Sequence, residues 1–271
     1  MSESQLVTDA VPQTCAKHGA YTREGFRSNN PRVPTFWMGC PKCGEEREAE
    51  IEKQSREREE RKQATAERKR IEDAHIPARY SNKTFSDFEA KTANQKKALA
   101  TVTNYTNDFG KNLEYGRCLV AIGTVGTGKT HLACAMLMQL AKDGFCVRYT
   151  TVSGLIRSIR DTWRKDSQHS ETAALQCLAD VDLLVIDEVG ASFGTEAEIT
   201  QLNDLVDIRY RNMKPIVVIT NLDREGLKRA LGERAFDRLR ENDGVVAVFS
   251  GESWRGHHHD PMIEPNAITV Q

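Results

Sequence analysis

Gly123-Thr124-Val125-Gly126-Thr127-Gly128-Lys129-Thr130 is the stretch that decides how the rest of the chain is read. An apolar run of strand length, Arg117 to Ile122, precedes it, and His131 to Met138 follows with helical periodicity and few breakers. Glycines placed between a strand and a helix let the backbone turn tightly and aim several N–H groups at one point, where the helix N-terminus adds its partial positive charge. A polyphosphate fits that point. In such a P-loop the Lys129 amine reaches the β and γ phosphates and the Thr130 hydroxyl ligates Mg²⁺. Gly123, Thr124, Val125, Gly126, Thr127, Gly128, Lys129, Thr130 and the adjoining His131 are therefore the candidate nucleotide-binding residues.

Outward from the loop, helix and strand patterns alternate. Upstream, 94–109 reads as a helix; downstream, 129–142, 152–164, 170–179, 196–212, 224–231 and 233–240 do. Strands are predicted over 117–122, 146–151, 183–188, 215–221 and 245–249. Near-continuous apolar strands separated by helices imply an α/β fold, a parallel sheet covered on both faces, with the ligand at the carboxyl ends of the strands.

Two carboxylates, Asp187 and Glu188, end the apolar strand Leu183 to Ile186, and packing gives no reason for them there. They divide the labour of phosphoryl transfer: Asp187 holds the Mg²⁺ shell opposite Thr130, and Glu188 orients or deprotonates the attacking water. Asn221 ends the next apolar strand, where its amide can position that water. Further on, Arg234, Arg238 and Arg240 make 233–240 a basic helix. A neighbouring subunit's arginine can stabilise the transition state, and Arg238 is the first choice for that role, Arg234 the second. Ser253-Trp254-Arg255-Gly256 adds an arginine that can reach the nucleotide from within, and His257-His258-His259 reads as a tail.

Upstream, Cys15-Ala16-Lys17-His18-Gly19 and Gly39-Cys40-Pro41-Lys42-Cys43-Gly44 form two knuckles with two-residue gaps. Cys15, His18, Cys40 and Cys43 together supply the four tetrahedral N/S ligands that Zn²⁺ favours. A segment this short cannot bury an adequate core, so the metal would hold it folded. Tyr21, Arg23, Phe26, Arg27, Arg32, Phe36 and Trp37 lie between the knuckles and suit either a small core or a nucleic-acid or protein contact. Residues 45–75 alternate in charge with scarcely an apolar side chain and read as a solvated helical linker.

Composition narrows the class. The 271 residues carry a formal net charge of −1 with 28% charged, so any contact with nucleic acid comes from local patches. The N-terminus is polar, with neither an apolar run of membrane-spanning length nor a signal-peptide core, and a cytoplasmic, membrane-free protein is expected. Of the seven cysteines, Cys118, Cys134, Cys146 and Cys177 lie singly in apolar patterns and are expected as buried free thiols.

With these residues in view, the chain resembles the DnaC-type helicase loaders, AAA+ ATPases related to DnaA and to the IstB transposition helpers. The resemblance runs from about Ile76 to Arg255, on Ile76-Pro77-Ala78-Arg79-Tyr80 with Thr84-Phe85, the P-loop, Val181 to Gly190, Thr220-Asn221, and Gly232-Glu233-Arg234 with Asp237-Arg238-Leu239-Arg240. It implies an AAA+ P-loop fold, ATP and Mg²⁺ as cofactors, Asn221 as sensor I, Arg238 as arginine finger and Arg255 as sensor II. It also implies that the two helices before the acidic strand touch single-stranded DNA, here through Arg157, Arg160, Trp163, Arg164 and Lys165. Arginines track phosphates and an aromatic ring stacks on any base, although Trp163 as core and a solvated arginine face fit the same residues. The implied organisation is a zinc module over 1–44, a linker over 45–75, an ATPase domain over 76–256 and a tail over 257–271. The implied partners are a replicative hexameric helicase of the DnaB type, single-stranded DNA and further copies of the chain. An IstB-like role beside a transposase on duplex DNA is the alternative. The zinc module departs from the helical N-terminus of the bacterial loader and is similar to phage or prophage versions of the family.

Overall fold

The computed structural model describes residues 4–8, 11–163, 170–190, 196–251 and 253–254. Arg164, Lys165, Arg255 and the histidine run lie outside them. The chain divides into two compact units, Met1–Ala66 and Glu67–Gln271.

The first unit is built from short strands that no period-two pattern announced. β1 (Ser4–Thr8), β4 (Glu24–Ser28) and β5 (Phe36–Trp37) form an antiparallel sheet in the order β1-β4-β5, and β2 (Gln13–Cys15) and β3 (Gly19–Tyr21) form a hairpin. Leu6 pairs with Phe26 and Phe26 with Phe36 across the sheet, and all three side chains are exposed. Trp37, on the opposite face, carries the Arg23 guanidinium 4.7 Å above its ring. These aromatics are thus divided between an open apolar row and a small packed face. Helix α1 (Pro41–Asp73) starts ahead of the charged run, with proline at its first position, where the missing N–H costs nothing, so Cys43 sits in its first turn. It buries no residue, as its charge pattern requires.

In the second unit the elements are α2 (Ala93–Asn107), α3 (Phe109–Glu114), β6 (Leu119–Gly123), α4 (Lys129–Lys142), β7 (Val147–Thr151), α5 (Val152–Thr162) and α6 (Glu171–Ala179). They continue through β8 (Leu183–Val189), α7 (Glu196–Arg211), β9 (Ile216–Thr220), α8 (Arg224–Leu231), α9 (Glu233–Arg240) and β10 (Val245–Phe249). The five strands lie parallel in the order β10-β6-β9-β8-β7. Successive side chains alternate between faces. Leu119, Ala121, Val185 and Val217 pack toward α2 and α4, whereas Val120, Leu184, Ile186 and Val218 pack toward α5, α7, α8 and α9. The strand bearing the P-loop is flanked by β9 and β10, so the crevice at its carboxyl end opens where the strand order reverses.

Arg209 is fully buried and donates to the carbonyls of Leu178, Ala179, Val181, Asp182 and Pro215, tying α7 to the turn that feeds β8. Two expectations for the thiols fail. Cys118 and Cys134 are buried, but Cys146 and Cys177 are exposed. Cys146 precedes the edge strand β7, and Cys177 lies on the outer side of α6, a helix whose buried residues are Leu178 and Ala179.

Candidate nucleotide and metal sites

β6 delivers the chain to the P-loop, and three glycines there have positive φ: Gly123 at 154°, Gly126 at 80° and Gly128 at 93°. A Cβ at Gly126 would lie 2.0 Å from Ser253 Oγ, and one at Gly128 would lie 2.4 Å from the Phe88 ring. Lys129 opens α4, is 6% exposed, and donates through Nζ to the carbonyls of Gly123 (2.8 Å) and Thr124 (2.7 Å). Val125 to His131 line a cleft of about 580 Å³ together with Asp187, Glu188 and Asn221. That volume suits a nucleotide. The His131 ring lies 3.1 Å from the Thr84 carbonyl and packs edge-on against Phe88.

Asp187 is buried at the end of β8, and its carboxylate is tightly held. Oδ2 accepts from Thr130 Oγ1 (2.7 Å) and from the Tyr149 phenol (2.9 Å), and Oδ1 accepts from the Glu188 N–H (2.7 Å). Burial, followed by the charge of Asp187, pushes the Tyr149 phenol well above its ordinary range. Glu188 has φ 61°, where a side chain is strained, and the β8–β9 register shifts between Ile186 and Val189. The bulge turns Glu188 outward into the cleft while its neighbours Asp187 and Val189 stay buried. P-loop, acidic pair and Asn221 are thus brought together.

The cleft also uses residues that the sequence reading did not place there. Arg79, Tyr80 and Lys83 line one part, and Trp254 another. The backbone N–H of Trp254 donates to the Gly126 carbonyl at 3.0 Å, and the Lys91 ammonium lies 4.3 Å from the Trp254 ring centre. The only sequence signal was the cluster of basic and aromatic residues before the ATPase pattern and the Trp-Arg pair near the end.

Arg238 is not in the cleft. Its guanidinium pairs with the Asp207 carboxylate and lies 5.0 Å from the Tyr210 ring centre, with the side chain 15% exposed. Arg234, 82% exposed, lies 3.8 Å from the same carboxylate. Arg157 and Arg160 line a separate groove of about 220 Å³ on α5 with Glu198, which accepts from Arg160 at 2.8 Å. Trp163 is exposed, not core, and its indole N–H donates to Glu171 at 3.0 Å.

In the first unit, the ligand atoms of Cys15, His18, Cys40 and Cys43 all lie within 4.8 Å of one another. Separations of 3.8, 3.6 and 3.3 Å from His18 Nδ1 to the Cys15, Cys40 and Cys43 sulfurs, and 3.5 Å between Cys15 and Cys43, outline a small tetrahedron. Zn–S bonds of about 2.3 Å require edges of about 3.8 Å, so the donors fit zinc. The backbone N–H groups of Lys17 and His18, then the Cys43 thiol, bring the Cys15 thiol down to about 6, and Cys43 is pushed up to about 11 beside it. His18 Nε2 lies 3.2 Å from Glu46, whose carboxylate Lys17 also holds at 2.5 Å. A carboxylate on the far nitrogen fixes ring and tautomer for a metal on Nδ1. Glu46 had looked like one more charge of the linker. Its spacing of three from Cys43, one helical turn, was the missed signal. Among the described residues no helix is long and apolar enough to cross a membrane.

Comparison with known proteins agrees with this architecture. The family model of IstB-like ATP-binding proteins matches residues 47–260. The replicative helicase loader DnaC of Escherichia coli K12 is 33% identical over 176 residues, 65% of this chain and 70% of that protein. DnaC of Buchnera aphidicola from Baizongia pistaciae is 33% identical over 180 residues, 66% and 72% of the two chains. A crystal structure of the DnaC helicase loader superposes with TM-score 0.57 at 24% identity, covering 64% of this chain and all of that one. DnaA bound to AMPPCP and single-stranded DNA superposes with TM-score 0.55 at 20% identity, over 66% and 52%. From the match over most of its length and the shared P-loop architecture, the chain belongs to the IstB-like ATP-binding proteins, as an AAA+ protein of the DnaC type.

Proposed function

We propose that this protein is an ATP-driven loader that binds a replicative hexameric helicase and delivers it onto single-stranded DNA. The observation that carries the reading is the cleft in which the P-loop, Asp187, Glu188 and Asn221 meet, in a chain that is 33% identical to a replicative helicase loader over 176 residues. ATP and Mg²⁺ occupy that cleft, with Lys129 on the phosphates, Thr130 and Asp187 around the metal, and Glu188 on the water. Arg238 serves a neighbouring copy's nucleotide, which requires Asp207 to release it. Arg255 completes the nucleotide site from within. The zinc module grips the helicase. Arg157, Arg160 and Trp163, with Arg164 and Lys165, contact single-stranded DNA by phosphate pairing and stacking.

The test is reconstitution with a purified replicative helicase and a single-stranded DNA circle. ATP and this protein are expected to transfer the hexamer to the circle; Glu188→Gln is expected to bind helicase yet fail to leave it. Absence of any helicase complex overturns the reading. The IstB-like family match supports a second role, assistance of a transposase on duplex DNA. Filaments on duplex DNA without helicase binding would select it.

A further inference from the structure

The magnesium shell of the proposed nucleotide site has a support supplied from a neighbouring strand. β7 and β8 run parallel with Tyr149 opposite Val185 and Thr151 opposite Asp187. Tyr149 and Asp187 therefore share one face of the sheet on a diagonal that an aromatic side chain spans. The phenol O–H meets Asp187 Oδ2 at 2.9 Å, the oxygen that also accepts from Thr130. Each of the three donors to this carboxylate comes from a different place: the start of α4, the middle of β7 and the backbone of β8 itself.

The three are not equivalent. Thr130 has a single hydroxyl hydrogen, and giving it to Asp187 leaves its lone pairs for a cation at the phosphates. The Glu188 N–H holds Oδ1, but among the described residues Thr130 and Tyr149 are the donors at Oδ2, and with Thr130 alone there the carboxylate could swing about Oδ1 and carry the hydroxyl with it. Tyr149 removes that freedom, since its own backbone is fixed twice, by pairing with β8 and by an N–H donated to the Ala74 carbonyl at 2.8 Å. We propose that Tyr149 is a positioning residue for magnesium: its phenol locks Asp187 so that the Thr130 oxygen faces the metal before the metal arrives. The proposal rests on the nucleotide reading above.

The experiment uses the full chain and the fluorescent nucleotide methylanthraniloyl-ATP, first with excess EDTA and then across a Mg²⁺ titration. Tyr149→Phe keeps the ring and removes only the donor. Its metal-free nucleotide affinity is expected to match the parent, which also shows that the cleft is folded, while the Mg²⁺ concentration for half-saturation rises about tenfold, the effect expected when a partner of a metal-orienting group is lost. Half-saturation within twofold of the parent overturns the proposal. So does a parallel loss of metal-free affinity, which would make Tyr149 part of the packing alone. If the parent itself shows no Mg²⁺-dependent nucleotide binding, the nucleotide reading fails and takes the role of Tyr149 with it.

Discussion

Glu188 shows how much can hang on one backbone angle. At φ 61° it occupies a conformation that a side chain adopts at a cost of about 1–3 kcal/mol, and that cost aims its carboxylate into the cleft while Asp187 stays beneath. Glu188→Gln is expected to lower ATP hydrolysis by roughly 10²–10⁴-fold, the range for loss of a general base, with ATP affinity unchanged in an equilibrium binding assay. Lys129→Ala removes the charge that the phosphates require, and the same assay should show about 100-fold weaker ATP binding. On the other unit, Glu46→Ala frees the His18 ring from its carboxylate and is expected to weaken zinc about tenfold in competition with a chelator, without removing any ligand. That Lys129 and Glu188 would share one cleft, and Cys15, His18, Cys40 and Cys43 one cluster, was legible because each stands at a spacing that chemistry dictates. Glu46, Tyr149 and Trp254 were not, because their roles are set by partners on other elements.

Elements were readable where punctuation is strong. The glycines of the P-loop and Lys142-Asp143-Gly144 bracket α4, so the predicted helix over 129–142 and the observed Lys129–Lys142 coincide. β1 to β5 went unread, since strands of two to five residues are too short to show a hydrophobic period. α3 was also missed; six residues give too little pattern to separate it from the end of α2. Arg209 lies in the predicted helix over 196–212, where nothing in the pattern marks it for burial, and the packing of α7 against the turn before β8 buries it. Burial draws its guanidinium down to about 10, which leaves it charged at neutral pH and able to serve its carbonyls. Arg209→Met strands those buried acceptors; a loss on the order of 3 kcal/mol is expected, seen as a melting midpoint about 10 °C lower by circular dichroism.

At the scale of the whole molecule, the two units owe their stability to different causes. The second rests on two apolar layers against a sheet, whereas the first has a Cys/His cluster that fits a metal, and we propose that the metal holds it folded. Removing zinc with a strong chelator is therefore expected to unfold the first unit and leave the second able to bind methylanthraniloyl-ATP with unchanged affinity. Loss of nucleotide binding on chelation would show that the units are not independent.

Helix α1 gives this independence a further meaning. It contributes no fully buried residue to either core, the boundary between units falls inside it, and the family match begins at residue 47, beyond Cys15, His18, Cys40 and Cys43. Only its last turn is tied in, with Ile71 against the apolar layer and Arg70 donating to the Ala141 carbonyl at 2.8 Å, so the helix ahead of that turn can be cut and rejoined without refitting a core. Selection can thus replace the front unit, or lengthen the joint by whole helical turns, while the P-loop unit stays as it is, so that one fold can be refitted by exchange of parts.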